Sequence, residues 1–216
     1  MKRFFAHLVS TAVLTFGFAV VAQALPIISL STAGDVNSSV QGVTNIDFNS
    51  GCGYATCNGD YALVSGNQSG KYAQPLGVNS QYLSVPNPSP TSQSAVFGLG
   101  NLANYFGLFW GSIDSYNSVS FYLNNALIAS YSGTNIVGQF ANGNQLSYSS
   151  NRYVNFDFGS DAFDMVKLTS TGFAFESDNH AFKKIINVSE PATFLLILFG
   201  LVGLALVRRR MRKQHS

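Results

Sequence analysis

The chain has 216 residues, with 12 Lys and Arg against 10 Asp and Glu. The basic excess lies at the two ends, because residues 25–189 contain only 5 basic residues against 9 acidic ones, a net charge of −4. Nucleic acid is therefore not expected as a partner, since such binding needs cations clustered on a folded face. Gly, Asn and Ser supply 61 of these 165 residues, a composition that favours turns over helices. The length predicts one domain with a hydrophobic core.

The N-terminus has the features of a secretory signal peptide. Lys2 and Arg3 precede an apolar run over residues 4–21, and Ala22 and Ala24 form the small-x-small pattern that signal peptidase reads. We predict that residues 1–24 form a signal helix that is removed after Ala24. The alternative is an uncleaved membrane anchor. In either case the domain that follows is expected to lie outside the cytoplasm.

The middle of the chain reads as short strands, because its apolar residues recur with a period near two. Asn124-Asn125 separates two of these segments and predicts a tight hairpin turn, since Asn tolerates positive φ. Three prolines within residues 85–91 predict a surface loop or an edge. Strands are expected at residues 44–48, 61–64, 82–85, 105–110, 118–123, 128–131, 153–158, 163–169 and 172–176.

These patterns predict an all-β fold, an antiparallel β-sandwich or jelly roll. We place this domain at residues 25–182, followed by an exposed linker at residues 183–189. The predicted architecture therefore has a signal helix before this domain and an apolar helix after it.

The C-terminal segment, residues 190–216, has an apolar part and a basic end. The apolar run over residues 191–207 is 17 residues long, at the lower limit for crossing a bilayer, and predicts a transmembrane helix at residues 192–207. Five Arg and Lys residues follow directly and are expected to stay in the cytoplasm. The alternative, a buried core helix, fits poorly because only the basic tail follows it.

The sequence from Val188 to Thr193, followed by a short apolar helix and an Arg-rich end, looks like the PEP-CTERM sorting signal of exosortase substrates in Gram-negative bacteria. Glu190 and Pro191 match the motif, and Ser189 stands where the motif has its first Pro. The resemblance implies that the helix holds the protein in the inner membrane transiently. It also implies that an exosortase cleaves near the motif and sends the protein to the cell surface or the medium.

A second resemblance covers most of residues 47–179. The segments 105–117 and 174–179 are similar to a group of exosortase-dependent surface proteins of β-sandwich type. This resemblance implies a sandwich fold and secretion, and it implies no activity.

Cys52 and Cys57 are the only cysteines, separated by four residues. In an oxidising compartment such a pair is expected to form a structural disulfide. A zinc site would need further ligands, and no His lies nearby in the sequence.

A possible glycan contact consists of Trp110, Asp114, Tyr116 and Asn117, because aromatic rings can stack on a sugar while carboxylates and amides bind its hydroxyls. Core packing is the favoured alternative for Trp110, because it alternates with Leu108 as a core residue does. The Asp and Glu residues fit solvated turns, but a pair of them could also serve a glycosidase, which needs two carboxyls about 5–9.5 Å apart.

Other candidate sites are weaker. Asp178 and Asn179, with Asp114 or Asp47, are candidate oxygen ligands for calcium, the one cofactor that the sequence suggests. His180 is the histidine that a serine hydrolase would have to use, but the chain has no Gly-x-Ser-x-Gly elbow. Residues 66–71 partly match a phosphate-binding loop, with one residue too few between the glycines and Tyr72 in place of Ser or Thr.

The sequence thus predicts an exported, non-enzymatic surface or extracellular-matrix protein that binds glycan or is associated with biofilms. Its expected partners are signal peptidase, exosortase and an extracellular polysaccharide bound through a polar face of low charge. The alternative is a secreted glycan-active hydrolase that uses an Asp/Glu pair.

Overall fold

The structure, a computed structural model, describes residues 25–185 and Leu201. These residues form eleven strands, a short helix α1 (Gly133–Val137) and a 3₁₀ helix (Gly138–Phe140). The strands are β1 (Ile27–Leu30), β2 (Thr44–Ile46), β3 (Thr56–Gly59), β4 (Ala62–Val64), β5 (Tyr82–Val85), β6 (Ser94–Gly111), β7 (Asn117–Leu123), β8 (Ala126–Ser132), β9 (Arg152–Asp157), β10 (Phe163–Ser170) and β11 (Phe175–Lys184).

Every strand pairing in the described part of the chain is antiparallel, so the predicted all-β antiparallel class is confirmed. The 18-residue strand β6 is the hub of the hydrogen-bonded network. Its first part pairs with β3 and β10, and its second part pairs with β9 and β11. Strand β7 extends the sheet from β10 to β8, while β5 and β2 lie along the other edge of β11.

The two parts of β6 are joined by a bulge. Phe163 and Met165 of β10 pair with Ala103 and Gly98 of β6, so the β6 residues between that pair have no partners on β10. Gly100 lies in this stretch with a φ of 72°, a conformation that favours glycine. Such bulges bend a strand, and this one lets β6 pair with different neighbours on its two sides.

The core lies between strands that face each other without sharing hydrogen bonds. Phe121 of β7 contacts Phe156 of β9, with ring centroids 5.0 Å apart, and Phe106 of β6 at 5.7 Å. The sheet therefore folds over itself and encloses a core rich in aromatic rings. Twelve of the largest fully buried side chains are Trp110, Tyr82, Tyr153, Phe48, Phe97, Phe106, Phe109, Phe121, Phe156, Phe163, Phe175 and Leu83.

The strand predictions hold where alternation is plain, as at residues 118–123 and 153–158, and the Asn124-Asn125 turn is confirmed, with both residues at positive φ. Strands β1 and β3 and the first part of β6 were not predicted. Strand β11 continues to Lys184, so the first two residues of the predicted linker 183–189 belong to a strand.

The predicted signal peptide, residues 1–24, and the predicted transmembrane helix, residues 192–207, lie outside the described residues except for Leu201. Within the described part of the chain, none of the helices is long and apolar enough to cross a membrane.

Phe121 offers a direct test of the folded-over core. Its ring contacts four other phenylalanines, so Phe121→Ala should lower the free energy of unfolding by about 3–5 kcal/mol. Phe140→Ala, at a half-exposed phenylalanine of the 3₁₀ helix, should change it by less than about 0.5 kcal/mol. Chemical denaturation of the purified protein measures both, and equal effects would contradict this packing.

Candidate functional site

Two of the residues predicted to contact a glycan are core residues. Trp110 is fully buried and stacks on Phe175, with ring centroids 4.2 Å apart. Asn117 is also fully buried; its amide donates to the Ala174 carbonyl and accepts from the Ser170 hydroxyl. Neither side chain is accessible to a ligand, so their assignment to a glycan contact is wrong. Alternation along β6 could not show whether the Trp110 ring is buried or exposed, since the strand is buried on both faces there.

The other two predicted residues lie at the surface. Tyr116 is 36% exposed, and its hydroxyl donates to the Phe173 carbonyl. Asp114 forms an isolated bridge with Asn142, and its carboxylate packs so close to Gly143 that a Cβ there would lie 2.6 Å from it. Burial raises the pKa of the Asp114 carboxyl. Tyr116 is therefore accessible beside Phe173, and Asp114 is half-buried.

Glu176 is the residue whose position the sequence did not indicate. The sequence predicts a strand at residues 172–176 but a solvated position for its acid, whereas Glu176 lies near the start of β11 and is only 2% exposed. Its Oε1 accepts from the Ala73 N–H at 2.8 Å, and its Oε2 accepts from the Ser112 hydroxyl at 2.9 Å. Burial is the largest influence and raises the pKa of Glu176 to about 8. The side chain is therefore largely a neutral acid near neutral pH.

A surface cavity of about 450 Å³ opens beside Glu176. Its rim is the segment from Asn67 to Ala73, the same stretch that partly matched a phosphate loop, and Phe173 and Gln145 complete it. The Lys71 ammonium lies 4.5 Å from the centre of the Phe173 ring and donates to the Pro88 carbonyl. This cavity thus combines an aromatic ring, a cation and a buried acid.

The predicted calcium ligands are not assembled into a site. Asp178 is fully buried; its two carboxylate oxygens accept from the Ser80 hydroxyl and the Asn179 N–H. The Asn179 amide donates to the Val36 carbonyl. Within residues 25–185, no group of three or more His, Cys, Asp or Glu side chains is placed to hold a metal ion. Burial, the largest influence, raises the pKa of Asp178 to about 6.

His180 is buried at the centre of a hydrogen-bonded chain. Its Nδ1 lies 2.6 Å from the Tyr54 hydroxyl, and its Nε2 lies 2.9 Å from the Ser177 hydroxyl. Burial lowers the pKa of His180 to about 3, so the ring is neutral at ordinary pH. Ser177 and His180 are both fully buried, and neither is accessible to a substrate in this fold.

The predicted disulfide between Cys52 and Cys57 is confirmed. It closes the loop that carries Tyr54, whose ring also packs against Phe97 and Phe182. The disulfide therefore holds a loop whose aromatic side chain reaches His180 in the core.

The C-terminal segment was compared with known protein families. Residues 187–213 match the family model of the PEP-CTERM protein-sorting motif. The chain carries a PEP-CTERM sorting motif. Comparisons with curated proteins and with solved structures found no match.

The PEP-CTERM motif marks the protein for export and for processing by an exosortase, with a membrane-anchored sorting signal at the C-terminus. The predicted sorting residues Ser189, Glu190 and Pro191 fall within the matched range and outside the described residues. Signal-peptide cleavage at Ala22 and Ala24 stays a prediction, since these residues also lie outside the described part.

Removal of the disulfide tests its structural role. A Cys52→Ser/Cys57→Ser double variant should lose about 2 kcal/mol of unfolding free energy, because the closed loop is short. The exported wild-type protein should take up no thiol reagent until it is reduced. Full labelling of the untreated native protein would contradict the assignment.

Glu176→Gln tests the buried acid through the pH dependence of stability. The pKa of Glu176 is raised from 4.5 to about 8 in the folded state, so over this window the native protein keeps a proton that the unfolded chain releases. Its contribution to stability is therefore complete below the lower value and is lost as the pH rises through the upper one, by up to about 1.4 kcal/mol per pH unit. The glutamine variant should gain stability relative to wild type over the same rise.

Denaturation of both proteins at about pH 5 and about pH 8 measures this difference. His180 and Asp178 titrate in both proteins, so their contributions cancel in the comparison. Asp35→Asn, at an exposed acid, is the matched control and should leave the pH dependence unchanged. Parallel curves for wild type and Glu176→Gln would show that Glu176 ionises normally.

Proposed function

We propose that this protein is a non-enzymatic component of the cell surface or extracellular matrix, and that exosortase separates it from its membrane tag. The observation that carries the proposal is the position of the PEP-CTERM motif. The matched segment begins at residue 187, three positions after the end of β11. Strand β11 is paired on both sides, with β6 on one edge and with β5 and β2 on the other.

The tag therefore follows a strand that is hydrogen-bonded to neighbouring strands on both edges. A force on the tag would act on this strand, so the folded domain is suited to remain intact while the tail is held in a membrane. Cleavage near Glu190 and Pro191 would leave about six residues beyond Lys184. Removal of the apolar tail would leave a mature chain without a membrane span, as in lipid-anchor signals.

The same folded domain supports the finer assignment of the fold as a β-sandwich. The rings of β7 face those of β9 and β6 across the core, as in two packed sheets. Between Leu25 and Ser189 the low charge and the many Gly, Asn and Ser residues favour a matrix role through contact with polysaccharide.

The proposal of a non-enzymatic role is supported by the buried acids. Glu176 and Asp178 each accept two hydrogen bonds inside the protein, and each is almost wholly shielded from solvent. A glycosidase needs two carboxyls that reach opposite sides of a bound sugar. Both of these carboxyls instead accept hydrogen bonds from groups within the folded protein.

One observation favours the hydrolase as a second candidate. A carboxyl with a pKa near 8 can act as a general acid near neutral pH, and Glu176 is such a group at the edge of a cavity. When Glu176 loses its proton, its negative charge is repelled by Asp114, which also raises the pKa of Glu176. Release of reducing sugar from a polysaccharide, lost in Glu176→Gln, would favour the hydrolase over the matrix protein.

Glu190→Ala tests the sorting route. In a host that contains an exosortase, the wild-type chain should lose its tail and reach the cell surface or medium. The Glu190→Ala variant should stay in the membrane fraction with its tail intact. Ser189→Pro, which restores the first Pro of the motif, should increase the cleaved fraction. Asp35→Ala serves as control for removal of an exposed acid outside the motif.

The mass of the C-terminal peptide distinguishes these outcomes. Identical intact tails in hosts with and without the exosortase would contradict the proposal. Normal sorting of Glu190→Ala would show that the motif is not what the enzyme recognises.

A further inference from the structure

The cavity beside Glu176 has polar groups that the fold leaves unused. Gln68 and Gln145 both line it and are exposed, and their side-chain amides make no hydrogen bond within residues 25–185. Each amide offers two N–H donors and a carbonyl acceptor. The hydroxyl of Ser69 lies in the same wall. The cavity therefore presents donors and acceptors to a ligand rather than to the protein.

The electrostatic character of the cavity comes from Lys71. Among the residues that line it, Lys71 and Glu176 are the only two of charged type. Burial raises the pKa of Glu176 to about 8, so this side chain carries little charge at neutral pH. Lys71 donates to the Pro88 carbonyl, and an ammonium group has three donors, so two remain. The cavity is therefore positive and suits an anionic group.

An aromatic ring forms one side of the cavity. Phe173 is 37% exposed, although buried phenylalanines dominate this protein. The Tyr116 hydroxyl donates to the Phe173 carbonyl and holds the backbone at this position. Gly172 packs against the Tyr116 ring, where a Cβ would lie 2.9 Å from it. The Phe173 ring thus lies on a supported turn with the Lys71 ammonium over it, and its exposed part offers an apolar surface to a ligand.

We propose that this cavity binds a carboxylated sugar residue of a polysaccharide. The carboxylate pairs with the Lys71 ammonium, the hydroxyls bond to the amides of Gln68 and Gln145, and the apolar side of the ring packs against Phe173. A volume of about 450 Å³ lies within the range of small-ligand pockets. The inference rests on the proposed matrix function and adds to it a site and a class of sugar.

A simple carboxylate and a sugar acid share the same contact with Lys71, so the test must separate them. The purified exported protein is titrated with glucuronic acid, glucose and acetate, and binding is followed by calorimetry or NMR. Glucuronic acid should bind about tenfold more tightly than glucose, since a charged hydrogen bond is added, and more tightly than acetate, since the ring contacts are added.

The variants assign the contacts. Lys71→Met should remove the preference for glucuronic acid over glucose, and Phe173→Ala should weaken the binding of both sugars. Gln145→Ala, at an exposed side chain without a partner in the described structure, should weaken both sugars with no effect on folding. Lys167→Met and Phe140→Ala are the matched controls, since neither residue lines this cavity, and both should bind like wild type.

Three results would overturn the proposal. Equal binding of acetate and glucuronic acid, unaffected by Phe173→Ala, would reveal a carboxylate site without sugar recognition. Equal binding of glucose and glucuronic acid would remove the role of Lys71. The absence of saturable binding by glucuronic acid would exclude the site altogether. None of these results contradicts the proposed sorting route, because export and tail cleavage are tested separately, by the mass of the C-terminal peptide.

Discussion

The pairing of β11 with β6 is the constraint on which the rest of the structure depends. Strand β6 bends at its bulge and serves two parts of the sheet, and β11 runs along its second part from Glu176 to Lys184. Strand β11 provides Glu176 beside the surface cavity and His180 in the core, and it ends shortly before the PEP-CTERM motif. The stability of one ladder therefore determines the position of a polar cavity and the attachment of the sorting tag.

This arrangement also explains why polar groups are buried in a protein with so few charges. Because β11 is covered on both edges and packed on both faces, its acids and its histidine must find partners within the protein. Glu176 finds a backbone N–H and a hydroxyl, and His180 finds Tyr54 and Ser177. Since none of these partners carries an opposite charge, burial favours the neutral form of each group, which shifts the pKa of Glu176 upwards and that of His180 downwards.

The sequence was sufficient for the features that depend on local pattern. Alternation located β2, β7 and β9, and the Asn124-Asn125 pair located a hairpin, because backbone conformation there is set by adjacent residues. The disulfide and the sorting motif were also predictable, since both are defined by short spacings. The first part of β6 was not predicted, because its glycines are residues typical of turns. One of them, Gly100, serves the bulge that bends the strand.

The cavity could not be predicted from the sequence, because residues that are distant in the chain form it. Glu176 is followed by the polar residues Ser177 and Asp178, a local pattern that also fits a solvated turn, and the pairing of β11 with β5 and β6 buries it. Lys71 and Phe173 are about a hundred residues apart in the sequence, and the fold brings them together. For Trp110 the sequence offered both a sugar contact and the favoured core packing, and the packing of its ring on Phe175 confirms the second.

The central claim is that a disulfide-bonded β domain is delivered outside the cell and separated from its membrane tag. The most direct test is the intact mass of the protein recovered from the surface or medium of a host that contains an exosortase. The account predicts a chain that begins at Leu25, contains the Cys52–Cys57 disulfide and ends near Glu190. A recovered chain that keeps all 216 residues would contradict it.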